Sequence, residues 1–222
     1  MNRVVLILLC LFTSVSACMA KGNEDDKDDF LHQNVSLTGG LTVDTWNLEL
    51  SYRFSPCRYF GIGAGVGYWK QYESGGIPRQ AMAWKVSDDY QKIADFYLRP
   101  NVMLYTPDFF HIRDCGFSLY VNPGAILNAP YGHALLDVMG PYGEVEDADD
   151  VHNSHGRWAA FDLRLGLRLG ANESHIFIGY ETSNMDVYGM YRPIVYRGVK
   201  FNDFYPKRKR MKGVTLDLAL DF

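Results

Sequence analysis

The chain has 222 residues, with 22 Lys and Arg against 26 Asp and Glu and a net charge of −4. A mean hydropathy of −0.17 with few uninterrupted apolar runs excludes a helical transporter, and the mild charge gives no sign of a nucleic-acid partner. The 15 Tyr, 13 Phe and 21 Gly suit a β-rich chain of one or two domains, because rings fit pleated surfaces and Gly suits bends.

Arg3 precedes the apolar run Val4-Val5-Leu6-Ile7-Leu8-Leu9-Cys10-Leu11-Phe12, and small residues follow. These are the parts of a secretory signal peptide over residues 1–20, cleaved after Ala20 or Ala17. Val15-Ser16-Ala17-Cys18 also resembles a lipobox, in which Cys18 would be lipidated. Residues 21–30, with Glu24, Asp25, Asp26, Asp28 and Asp29, read as an acidic flexible leader. Residues 31–222 form the domain.

Eight strands are predicted within it, at about 33–43, 46–54, 59–70, 96–106, 117–127, 159–169, 175–183 and 213–222. Strict alternation is clearest in four of them, because successive side chains of a strand point to opposite faces. In 46–54, Trp46, Leu48, Leu50, Tyr52 and Phe54 oppose Asn47, Glu49, Ser51 and Arg53. In 59–70, Gly61, Gly63, Gly65 and Gly67 form one face and leave room for long side chains from other strands. In 159–169, Phe161, Leu163, Leu165 and Leu167 oppose Asp162, Arg164 and Arg168. In the last strand, Val214, Leu216, Leu218, Leu220 and Phe222 oppose Thr215, Asp217, Ala219 and Asp221. Pro100, Pro123 and the pair Gly39-Gly40 predict bulges or weak points.

The connections alternate: short or moderate at 55–58, 107–116 and 170–174, long at 71–95, 128–158 and 184–212. The short link at Asp44-Thr45 breaks the rule. Short turns at one end and long loops at the other are the habit of transmembrane barrels. Segments of about nine residues match a tilted membrane strand. Aromatic residues gather at strand ends, at Trp46, Phe54, Tyr59, Phe60, Tyr68, Phe117 and Phe222, where interfacial girdles belong. The fold class is therefore an all-β, eight-stranded antiparallel transmembrane up-and-down barrel. Its apolar face is turned to lipid; a soluble β-sandwich is the alternative. Glu49, Arg53, Arg99, Asp162, Arg164, Arg168, Glu181, Asp217 and Asp221 then converge on the lumen, which is narrow enough to be filled by side chains. They are expected to pair, because an unpaired buried charge is costly.

The signal peptide, the alternating last strand ending in Phe222 and the short-turn, long-loop pattern resemble small outer-membrane β-barrel proteins of the OmpA/OmpX type, often grouped as porin-family proteins. The resemblance covers about residues 31–222. It implies an outer-membrane location, insertion by the barrel-assembly machinery with Phe222 as part of its signal, and roles from envelope stability to adhesion. It supplies no catalytic residues and no cofactor.

Within that topology Cys57 and Cys115 lie in short connections on the periplasmic side. One disulfide in an oxidising compartment is the expected pairing; two free thiols are the alternative. The basic run Lys207-Arg208-Lys209-Arg210-Met211-Lys212 enters the last strand from the long-loop side, where it is placed to meet lipopolysaccharide phosphates. Glu144, Glu146, Asp147, Asp149 and Asp150 read as a solvated acidic loop without the ligand order of a calcium site. His152, Ser154 and His155 are the only local cluster resembling a hydrolase site. They carry the alternative of a lipid A-modifying enzyme, and a narrow channel is the third reading. Gly61-Ile62-Gly63-Ala64-Gly65 sits in an alternating strand with no helix after it and is no nucleotide loop. The expected role is non-catalytic, with outer-membrane lipid, lipopolysaccharide and a surface ligand of the loops as partners.

Overall fold

The structure, a computed structural model, describes residues 32–72, 83–87, 92–113, 115–128, 131–154, 156–171, 173–205 and 210–222. The expected signal peptide, Cys18, the acidic leader, His155, Lys207, Arg208 and Lys209 lie outside the described residues. Eight long strands form the body: β1 (His32–Thr42), β2 (Thr45–Cys57), β3 (Phe60–Gln71), β5 (Ala94–Tyr105), β7 (Cys115–Asn128), β10 (Ala159–Ala171), β11 (Ser174–Ser183) and β14 (Met211–Asp221). Each is antiparallel to its neighbours in the order β10-β11-β14-β1-β2-β3-β5-β7, and pairing of β10 with β7 closes the sheet. Closure removes the open edges that a sheet of this length would otherwise expose.

The predicted strands are all present, and the alternation sorts their two faces as expected. Leu37, Leu50, Val66, Leu98, Leu165 and Leu216 point outward and are exposed, whereas Thr38, Glu49, Arg99, Asn122, Asp162 and Thr215 point inward and are buried. An apolar outside around a polar inside inverts a soluble barrel. The glycine face of β3 does what its pattern suggests. A Cβ on Gly61 would lie 2.9 Å from the Arg53 side chain, one on Gly65 would meet Glu49 at 2.6 Å, and one on Gly67 would collide with the Tyr97 ring. These glycines make room in the lumen for three large polar side chains.

The expected bulges are placed differently. β1 runs through Gly39 and Gly40 without a shift of register on either side. The register also holds through Pro100 and Pro123, but the β5–β7 pairs thin out there, from Leu98↔Leu127 to Asn101↔Gly124 to Leu104↔Val121. The prolines lack the ladder donor. Side chains compensate: Arg99 Nη2 donates to the Asn122 carbonyl at 3.0 Å, Asn122 Nδ2 to the Val102 carbonyl at 3.0 Å and Asn101 Nδ2 to the Arg99 carbonyl at 3.1 Å. The one register shift between β2 and β3 lies between Phe54 and Cys57, around Pro56.

Both chain ends of the described barrel lie at its turn end, with the links 58–59 and 172–173. β6 (Phe110–Ile112) pairs with β7 within the moderate link at that end. At the opposite, loop end the three long links are not the bare loops expected. They contain β4 (Trp84–Val86), β8 (Gly132–Met139) and β9 (Val145–Asn153), which form a sheet in the order β4-β8-β9. They also contain the hairpin of β12 (Val195–Tyr196) and β13 (Val199–Lys200), and a 3-10 turn at Phe201–Asp203. Together they build a cap with its own apolar core. The acidic run is part of this sheet: Asp150 faces Leu135, and Asp149 faces Leu136, on β8. Its expected reading as a solvated loop is corrected accordingly.

The predicted Cys57–Cys115 bridge is also corrected: both thiols are free. Cys57 closes β2 instead of introducing β3, so β3 and β5 stand between it and β7. Three strand spacings of about 4.8 Å place the two cysteines well beyond the roughly 4.4–6.8 Å between bridged Cα atoms.

Candidate functional site

The lumen contains a buried ionic cluster built from β2, β5, β10 and β11. Inward positions of successive strands fall at one level, which brings residues far apart in sequence into contact. Arg164 grips Glu49 with both terminal nitrogens, at 3.2 Å to Oε1 and 2.7 Å to Oε2. Arg99 Nε donates to Asp162 Oδ2 at 2.6 Å, and its Nη1 lies 3.8 Å from Glu49 Oε1. Tyr97 and Ser51 hydroxyls complete the shell of Glu49 at 2.9 and 2.7 Å. Glu181 is held by charge, its Oε2 lying 3.4 Å from Arg164 Nε. Charge-assisted, two-pronged bonds of this kind fix geometry as well as neutralise charge.

Below this cluster Arg53 and Asp217 form a longer pair at 3.9 Å, and Arg53 lies over the Phe177 ring. Only about 10 Å³ of free space remains beside these groups, roughly room for one water. Seven of the nine predicted lumen residues therefore meet in one stack. The other two, Arg168 and Asp221, lie lower, at the turn end. Asp221 Oδ2 is 2.7 Å from His175 Nε2, and Arg168 Nη2 is 3.3 Å from the same ring. The expected carboxylate partner of Arg168 is not found among the described residues. Tyr97, Asn101, Asn122 and His175 are lumen residues that the charge pattern did not single out; their inward parity on β5, β7 and β11 was the available signal.

At the loop end the lumen becomes apolar. Trp69, Tyr97, Ile126, Ala160 and Met211 project inward from the barrel rim and join one buried cluster with the cap. The cap contributes Trp84, Val86, Leu136 and Phe201, all at most 3% exposed. The Trp84 ring stacks on Phe201 at 5.8 Å and meets Tyr196 edge-on at 5.1 Å. Burial, with Asp95 adding to it, pushes the Tyr191 hydroxyl up to about 12. Burial also pushes Tyr205 up, helped by Tyr191 and Tyr188. The loops thus fold onto the barrel mouth and stopper it.

Of the hydrolase candidates, the described His152 and Ser154 are not brought together, and His155 lies outside the described residues. His152 and Ser154 are both exposed at the end of β9. His152 sits beside the Tyr131 ring at 5.8 Å, and no hydrogen bond joins it to Ser154 among the described residues. A nucleophile and its base need such a bond. No cluster of three or more metal-ligating side chains occurs among the described residues.

Around the outside, two groups of rings flank the apolar belt. Trp46, Tyr68 and Phe96 form a row near the loop end, with centroids 5.6 and 5.0 Å apart. Phe110 and Phe117 pack at 5.7 Å at the turn end, where the exposed Phe109 and Phe222 also lie. Apolar belt, two girdles and charged interior are the arrangement of outer-membrane barrels, and the chain is a transmembrane β-barrel of that type.

No family model matches the chain, and no curated protein matches it. Solved structures similar to it include a major outer membrane protein from Thermus thermophilus, with 11% identity and a TM-score of 0.48 over 86% of this chain and 99% of that one. The N-terminal β-barrel domain of Pseudomonas aeruginosa OprF has 8% identity and a TM-score of 0.43 over 86% and 97%. The outer membrane enzyme PagL has 11% identity and a TM-score of 0.38 over 84% and 98%. These are likenesses of strand architecture.

Proposed function

We propose that the chain is an exported, integral outer-membrane protein of the OmpA/OmpX type that serves the envelope without catalysis. Its loop end faces outward and its cap is the surface offered to partners. The observation that carries this reading is the cap itself. The long links are spent on an ordered, apolar-cored structure, and stable elements on a rigid scaffold are what recognition surfaces require. The filled lumen and the stoppered mouth argue for a plug and against a narrow channel. That no hydrogen bond joins His152 to Ser154 among the described residues weighs against lipid A hydrolysis.

Lipopolysaccharide contact by Lys207, Arg208, Lys209, Arg210 and Lys212 is part of the same reading. Arg210 and Lys212 are exposed, and Lys212 points outward at the loop end of β14. There a cation lies within reach of headgroup phosphates and adds about 1 kcal/mol of surface attraction.

The test is attachment of cells that display the chain, compared with cells displaying a version in which residues 132–153 are replaced by a short turn. Reduced attachment with unchanged barrel assembly supports the cap as the interaction surface. Equal attachment leaves only an envelope-building role. Ser154→Ala is expected to leave the lipid A profile in mass spectra unchanged.

A further inference from the structure

The turn end of the barrel is built differently from both the central cluster and the cap. A cavity of about 210 Å³ opens there, lined by side chains of β1, β2, β5, β10, β11 and β14 together with the links at that end. That is space for about seven waters or one small molecule. Its walls are polar and charged, with two guanidiniums, two carboxylates and two histidines. Asp221 is engaged by His175 at 2.7 Å, and Asp108 lies 3.7 Å from His111. Both acids of the cavity therefore have a histidine at hand. Its two guanidiniums, Arg58 and Arg168, form no ion pair among the described residues. Each is instead laid near a tyrosine ring, Arg168 at 5.0 Å from Tyr105 and Arg58 at 5.9 Å from Tyr59.

Three buried polar atoms of the lining are also left without partners, among them Asp221 Oδ1, an acceptor. Arg168 Nε is a donor without an acceptor, and Asn34, 5% exposed, has an unpartnered amide oxygen. A side-chain amide can turn to present its donor instead. Space is kept open beside these groups: a Cβ on Gly170 would stand 2.7 Å from His175 Nδ1 and 3.6 Å from Arg168 Nη2. Buried donors left unmade are costly, and a guanidinium fork without a carboxylate matches an oxyanion bidentately.

We infer that this cavity is a binding site for a small oxyanion, a phosphate- or carboxylate-bearing group. Arg168 is its principal counterion, Arg58 closes the mouth, and Asn34 supplies a neutral hydrogen bond. His175, itself bonded to Asp221, holds Arg168 in place from the side. The site faces away from the cap, so its ligand comes from the compartment opposite the one the cap meets. Either a soluble anion or the headgroup of a lipid at the barrel rim carries the required chemistry.

The experiment uses the full chain folded in zwitterionic micelles and isothermal titration calorimetry. One arm titrates inorganic phosphate and glycerol 3-phosphate; the other titrates phosphatidylglycerol-doped micelles with no free phosphate. Saturable binding is expected, weakened about tenfold by Arg168→Gln and about threefold by Arg58→Gln, as loss of a charge-assisted bond implies. Arg197→Gln, in the cap, is expected to leave it unchanged. Saturation by free phosphate identifies a soluble anion, and saturation by doped micelles alone identifies a headgroup. Either supports the site. No saturable binding in either arm, or equal affinity of the parent chain and both variants, overturns it. Heat-modifiable migration checks that each variant is folded. Should Arg168→Gln not fold, the exposed Arg58 carries the test alone.

Discussion

The lumen and the cap solve the same problem with opposite chemistry. Both are interiors at the axis of one barrel. The lumen is filled by ions and amides whose partners come from four strands, and its specificity is directional. The cap is filled by Trp84, Leu136, Phe201 and their neighbours, and its cohesion is area and shape. The difference follows from the surroundings. The barrel wall exposes its apolar face to lipid, so alternation forces polar residues inward. The cap stands in water, so alternation returns apolar residues to the inside.

That contrast predicts distinct failures. The largest effect is expected at Glu49, which touches Arg164, Arg99, Tyr97 and Ser51. Glu49→Ala strands two guanidiniums in a dry interior, a loss of about 3–5 kcal/mol. Denaturant titration of heat-modifiable migration should show the whole barrel weakened or unfolded. Phe201→Ala should cost a similar amount, about 3–5 kcal/mol, but locally. Protease should then cut the cap while the barrel keeps its shifted migration. Loss of the barrel as well would mean that the two regions are one cooperative unit.

Leu50→Arg sharpens the comparison from outside. Leu50 is 59% exposed, and in water its replacement by arginine would be nearly neutral. Facing lipid near mid-belt, it should cost about 2–4 kcal/mol. The smallest effect is expected from alkaline pH. Tyr191 ionises near 10 when unfolded but only near 12 when folded. The folded state favours the neutral phenol, so this contribution is complete below pH 10 and is lost as pH rises toward 12. Ultraviolet titration should show tyrosines ionising late, together with opening of the cap; ionisation of every tyrosine near pH 10 would contradict the buried cap.

The barrel was legible in the sequence because its signal is repeated. Eight segments share one period, and β2 and β14 each show both faces over nine or more successive residues. The lumen cluster was legible for the same reason, since parity places Glu49, Arg99, Asp162, Arg164 and Glu181 inside together. Arg168 and Asp221 share that parity but sit lower, and parity does not give height along the axis. The cap was not legible. β9 carries Glu146, Asp147, Asp149 and Asp150 on both of its faces, which hides a strand behind a charge run. Its pairing comes from β8, where Ala134 and Leu136 are buried and His133 is not. Three alternating residues inside a long link are too few to stand out beside barrel strands of 10 to 14 residues. Cys57 lies three residues past the predicted strand end at 54 and still within β2, which puts it on the far side of β3.

The central claim is that this barrel is inverted, with lipid outside and charge inside. Site-directed spin labelling of β14 in liposomes tests it most directly, in a chain with Cys57 and Cys115 replaced by serine. Labels at 214, 216, 218 and 220 should be accessible to dissolved oxygen and shielded from a water-soluble nickel complex, while labels at 215, 217 and 219 should be shielded from both. Nickel access at the even positions would contradict the account, because those leucines and Val214 would then be facing water.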